Sequence, residues 1–361
     1  MLKSLLSHDL PRSRWLAGLL ILIVLGLALT PFIFPSTRAL NVAAKILIFI
    51  VLVASYDLLL GYTGIVSFAH TMFFGIGAYG IAIASSRMEP GWAAVGVGLG
   101  AALLVSLLLS LAIGLFSLRV KAIFYAMITL AVASAFLTLA SQLSEFTGGE
   151  DGLSFKVPVA LQPSTEYLEE PFLGAMIDGR FLSYYLLFAA TVALVLLMLR
   201  IVNSPFGRVL QAIRENDFRA EAIGYRCVVY RSLSNVLAAL FATLAGAMLA
   251  LWLRYNGPDT SLSFEIMLDL LLILVIGGMG TIYGAVVGSV LFVLAQSYLQ
   301  DLMKVGAAAL EGVPVLSQLI APERWLLWLG VLFVLAVYHF PSGIVGRLRA
   351  GLTTSPSKHH D

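Results

Sequence analysis

The chain has 361 residues, 60% of them hydrophobic and 12% charged, with a formal net charge of +2. An ordinary soluble domain carries roughly a quarter charged residues, so a water-soluble fold is excluded and a lipid bilayer, with no nucleic acid as partner, is the expected setting. The single cysteine, Cys227, cannot form a disulfide within the chain.

A helix needs about 20 apolar residues in a row to cross a hydrocarbon core of roughly 30 Å. Residues 15–37, 58–86, 90–118, 122–144, 181–199, 232–253, 270–300 and 325–346 contain no Asp, Glu, Lys or Arg. These solid apolar runs predict an all-α polytopic transmembrane bundle, since a barrel would show short segments of alternating hydrophobicity. The first run is too long for a cleaved leader and lacks a small-residue cleavage site, so 15–34 reads as a retained span.

Positive residues mark cytoplasmic loops. Lys3, Arg12 and Arg14 put residues 1–14 inside. An alternating path then puts Arg38 outside, a turn at 57–61 inside, Arg87 and Glu89 outside, and Arg119 with Lys121 inside. Segment 145–180, with seven acids against two bases, falls outside and is expected to be periplasmic. Segment 203–231, with Arg208, Arg214, Arg219, Arg226 and Arg231, falls inside. A single crossing over 270–300 would put Arg347, Arg349 and Lys358 outside. Two crossings are therefore expected, starting near Ser263 and turning through Gly277, Gly278 and Gly280. The outcome is about ten spans, a transmembrane domain over 15–346, and a cytoplasmic tail at 347–361.

In chain order, the first unusual stretch is 60–80, with glycines at 61, 64, 75, 77 and 80 inside a run longer than one span requires. Interior glycine weakens a helix by about 1 kcal/mol relative to alanine. Either these glycines let helices pack closely, or the helix is broken and its backbone, with Ser67 and His70, lines a translocation route. A second cluster, Gly277, Gly278 and Gly280, opens another inside-to-outside span and joins the candidate pathway. Lys45, Asp57 and Asp269 are the ionisable residues within spans, with Glu265 at a boundary. Each should face protein or water. Asp57, near the cytoplasmic end of its span, is placed to reach the interface or cap the Gly61 turn rather than to relay protons, whereas Asp269, deeper, is a candidate for the pathway or for a structural pair.

Residues 204–224 read as one amphipathic helix, started by Pro205, stopped by Gly224, with Val209, Leu210, Ile213 and Phe218 on its apolar face. Such a helix could lie on anionic lipid or plug the groove of a soluble partner.

Several blocks resemble a known family: Leu60, Gly61, Tyr62, Thr63 and Gly64 with Ser67 and His70; Phe73 to Tyr79; Thr147 to Leu153; Ser204 to Arg208; Ala212 to Asn216; Ala220 to Gly224; Val275 to Gly280; and Phe340 to Gly343. Together they resemble the LivM-type permease subunits of branched-chain amino acid ABC importers. The resemblance implies an inner-membrane subunit working with a second homologous permease, two cytoplasmic ATPases and a periplasmic solute-binding protein. It also implies that Gly207, Arg208, Arg214, Glu215, Asn216, Glu221 and Gly224 belong to the segment the ATPases grip. The general importer spacing, Glu-Ala-Ala with a glycine three residues on, is not met at Glu221 and Ala222.

The chain lacks the G-x-x-x-x-G-K-[ST] phosphate cradle, so ATP is expected on the partner subunits, with no cofactor or metal held here. An ion-coupled secondary transporter of small solutes is the alternative, as is a urea- or amide-specific permease of the same family. An intramembrane enzyme is disfavoured by the absence of H-E-x-x-H and G-x-S-x-G.

Overall fold

The structure, a computed structural model, describes residues 13–34, 36–117, 122–168, 170, 176–309 and 321–350. Most of segments 1–14 and 347–361 lies outside them, as do Arg119, Lys121, Glu169 and Pro171. The described chain is a helical bundle: α1 (Arg14–Ile33), α2 (Thr37–Thr63), α3 (His70–Arg87), α4 (Trp92–Ser117), α5 (Ala122–Gln142), α6 (Gly179–Val202), α7 (Pro205–Glu215), α8 (Asp217–Ala222), α9 (Cys227–Leu253), α10 (Phe264–Gly277), α11 (Ile282–Ala309), α12 (Trp325–His339) and α13 (Gly343–Ala350). Among the described residues nine helices are long and apolar enough to cross a membrane. The tenth expected crossing is α3, 18 residues long, whose His70, Arg87 and glycines make it less apolar.

The expected turn at 57–61 is displaced. Helix α2 runs through Asp57 and Gly61 to Thr63 and stops at Gly64, whose φ of +72° caps it while its N–H donates to the Leu60 carbonyl. Glycine adopts this left-handed backbone without the steric penalty other residues incur. Residues 65–69 then run without helical structure before α3 starts at His70.

Helix α2 is the centre of the bundle, buried over most of its length against α9, α11 and α6. The glycines of α3 divide by role. Gly77 abuts the Thr243 carbonyl and Gly246 of α9 abuts the Phe74 carbonyl, so a Cβ at either would sit within 2 Å of backbone oxygen, at 1.9 Å and 1.8 Å. This half of the stretch is a packing seam, in which close approach of backbones replaces a missing hydrophobic drive between helices in lipid. Helices α1, α4, α5 and α12 are mostly exposed and apolar, the outward faces of the bundle.

The run at 270–300 is divided as expected, with α10 and α11 joined through Gly278 and Gly280, both at positive φ. The described residues of segment 145–180 fold as a cap over the end of the bundle away from α7. Its strand β1 (Leu153–Ser154) pairs antiparallel with β2 (Tyr255–Asn256) just beyond α9, and Phe155, Val157 and Leu161 are buried among α3 and α9 residues. The starts of α1 and α13 lie together at the α7 end, where α13 packs against α1 and α11.

Candidate functional site

Helix α7 starts as its sequence dictates: the Ser204 hydroxyl accepts from the Gly207 N–H and Pro205 occupies the first turn. Val209, Leu210 and Ile213 are buried, and Gly207 lies against the backbone of Val202, leaving no room for a side chain. The expected single helix over 205–224 is two. Asn216, extended at φ −161° and ψ 104°, ends α7 and caps α8 by accepting from the Arg219 N–H at 2.9 Å. The break resets the helical phase, so Phe218 leaves the apolar face and is 86% exposed. Arg231 on α9 ties α8 down through a 2.6 Å ion pair to Asp217. Arg208, Glu215, Glu221 and Gly224 are exposed, with Gly224 at φ +97° ending the segment.

Arg214 is also exposed over much of its surface, but its guanidinium reaches the bundle. Its guanidinium donates to the Gly61 carbonyl and lies next to Gly280. The Gly280 N–H donates to Asp57 Oδ1 at 2.7 Å. A Cβ at Gly61 would collide with Asp57 Oδ1 and the Gly280 nitrogen, at 1.8 Å and 2.5 Å, so the α2 end and the α10–α11 turn touch backbone to backbone. Gly343, at the start of α13, closes on Gly278 from the other side. Asp57 is fully buried, and its Oδ2 has no hydrogen-bond partner among the described residues. A buried carboxylate needs compensation, which here comes from the backbone at Gly280 and Thr281 and from the neighbouring arginine. Asp57 therefore caps not the expected turn at Gly61, which is helical, but that of Gly280, 223 residues away.

Ser67 and His70 lie at the helix break, both 2% exposed. His70 Nε2 is 2.8 Å from the Ser55 hydroxyl, which itself donates to the Leu52 carbonyl, and the His70 ring lies 5.1 Å from that of Tyr56. Ser55 is eight residues from the α2 end, so α3 begins roughly 12 Å inside that end. The Phe68 N–H donates to Thr129 of α5 at 3.1 Å and the Ala69 N–H to Ser67 at 3.4 Å. The break is thus irregular backbone at depth, covered by protein. Asp269 makes no hydrogen bond to this cluster among the described residues: it faces Gln296 at 3.5 Å, and Gln296 accepts from Lys45 at 2.8 Å. Lys45 was visible as an intramembrane charge, but nothing in the sequence marked Gln296.

Residues 38–337 match the family described as the permease component of branched-chain amino acid transport systems. The chain belongs to that family. Two relatives carry the name high-affinity branched-chain amino acid transport system permease protein LivM. The one from Salmonella typhimurium is 26% identical over 319 residues, covering 84% of this chain and 73% of the relative. The one from Escherichia coli is 25% identical over 322 residues, with the same coverage. A third, from Methanocaldococcus jannaschii, is named a probable branched-chain amino acid transport permease protein and is 26% identical over 287 residues, covering 76% of this chain and 78% of the relative. No solved structure matches the chain. The permease is a multi-pass inner-membrane protein, and its matched region takes in the helix break, the α7–α8 segment and the Gly278–Gly280 turn.

Proposed function

We propose that this permease is one membrane subunit of an ATP-binding cassette importer for branched-chain amino acids, forming the pathway with a second homologous permease over 15–346. On this reading the α7 face is cytoplasmic, as are residues 1–14 and 347–361. Two ATPases bind the α7–α8 segment there, and a periplasmic solute-binding protein delivers solute to the opposite end. ATP is held by the ATPases, and this chain contributes no cofactor. Family membership supports the transport role.

The observation that carries the coupling reading is Arg214. A helix that merely lay on lipid would keep its arginines in the headgroups; this one sends Arg214 to the Gly61 carbonyl, beside the buried Asp57–Gly280 contact. Beside it α8 and the residue that ends it expose Phe218 and Ile223, 86% and 67% accessible, among Arg219 and Glu221, the mixed apolar and charged surface a soluble partner would cover. Movement of α7–α8 would thereby reach the two glycine turns directly. Gly61, Gly64, Ser67, His70, Gly277, Gly278 and Gly280 are the pathway residues on this reading, opened when those turns separate.

The test is leucine uptake by the reconstituted complex with Arg214→Glu or Phe218→Asp. ATP hydrolysis should persist while uptake falls at least tenfold. Normal coupling in both variants would refute the docking assignment.

A further inference from the structure

Away from the α7 face, α2, α3, α9, α10 and α11 enclose a cavity of about 440 Å³ whose walls are chemically divided. This is within the range of roughly 300–1,000 Å³ common for small-molecule sites. The charged lining is Lys45 and Asp269, both half-buried, with the exposed Glu265 and Asp259. The apolar lining includes Ile48, Phe49, Phe74 and Trp252, all buried.

Lys45 and Asp269 do not meet as an ion pair among the described residues. Gln296 stands between them, accepting from Lys45 at 2.8 Å and reaching Asp269 at 3.5 Å. Two opposite charges held apart in a half-buried setting retain unsatisfied donors and acceptors. The Lys45 ammonium makes one such bond and rests 5.4 Å from the Phe49 ring centre, so it has donors to spare. An α-amino acid presents a carboxylate and an ammonium on adjacent atoms. Set between Lys45 and Asp269, it would satisfy both, with its side chain against the aromatic wall. A neutral amide or urea carries no ion to pair with either group.

We infer that this cavity binds a free α-amino acid with an apolar side chain, carboxylate on Lys45 and ammonium on Asp269. The inference rests on the proposed import function and adds to it a binding site with named residues. It also gives the permease a selecting site of its own, on the side from which solute arrives.

The test measures binding apart from transport. In the assembled complex without its binding protein, Thr260→Cys at the rim, in a Cys227→Ser background, is alkylated by a small thiol reagent with and without ligand. Leucine should slow the reaction at least threefold. Leucinol, which lacks the carboxylate, and 4-methylpentanoate, which lacks the ammonium, should not. Lys45→Met and Asp269→Asn should each abolish protection, and Lys45→Arg should keep it, in complexes that purify with their full subunit composition and an unchanged melting temperature. No protection by leucine, equal protection by either analogue, or full protection in Lys45→Met would overturn the inference. Protection by leucine in a complex whose uptake ignores ATP would instead leave this site standing and refute the import reading.

Discussion

Gly61 is in van der Waals contact with two groups that a methyl would displace, the carboxylate of Asp57 on its own helix and the Gly280 nitrogen. Neither can retreat, since they hydrogen-bond each other at 2.7 Å. Gly61→Ala should therefore cost about 1–3 kcal/mol, the usual range for overpacking, read as a lower melting temperature of the purified permease. Asp57→Ala removes the acceptor of a buried N–H, a loss of similar size; Asp57→Asn, which keeps an acceptor oxygen at that position, should recover most of it. A melting temperature unchanged in both Gly61→Ala and Asp57→Ala would mean the contact carries no stability. The sequence made Asp57 conspicuous as an intramembrane charge and suggested a cap. Its partner was illegible, because periodicity and capping rules see a few residues ahead, and this bond joins residues 57 and 280.

Among the elements, α7 and α8 were legible as helical but not as two. The apolar spacing of Val209, Leu210 and Ile213 is true to the buried face; Phe218 continues the pattern on paper and breaks it in space. Asn216 is the cause, since its side chain offers the next helix a cap that an uninterrupted helix would leave unused. Asn216→Ala should weaken α8 by about 1 kcal/mol, seen as faster amide exchange over 217–222 with α7 unaffected. Equal acceleration in both helices would show that they unfold as one unit.

In segment 145–180 the acids mark an extracytoplasmic loop, whereas Phe155, Val157 and Leu161, which anchor it, carry no sequence signal as isolated apolar residues. Phe155→Ala should destabilise the cap by about 3–5 kcal/mol, typical for a buried aromatic, and increase proteolysis within 145–180. Unchanged proteolysis would mean that Pro158 and the β1–β2 pairing hold the cap without it.

At the scale of the whole molecule, the spans were the most legible feature, because apolar length is a direct physical requirement of the bilayer. The division of 270–300 into α10 and α11 followed from charge asymmetry and glycine position together. The glycine-rich stretch was legible only as a choice, and its two halves took different outcomes: Gly64 ends a helix at positive φ, while Gly77 fits against α9. Composition cannot separate these, since both need a residue without a side chain. The cavity between Lys45 and Asp269 is assembled from helices far apart in the chain and had no sequence signal beyond two isolated charges.

The central claim is that this permease imports solute at the expense of ATP hydrolysed by subunits docked on its α7 face. Leucine uptake into proteoliposomes holding the complete complex, with ATP on the ATPase side and proton and sodium gradients collapsed, tests it most directly. The account predicts uphill leucine accumulation that depends on hydrolysable ATP and is lost in Arg214→Glu. Accumulation driven by an ion gradient without ATP would contradict it.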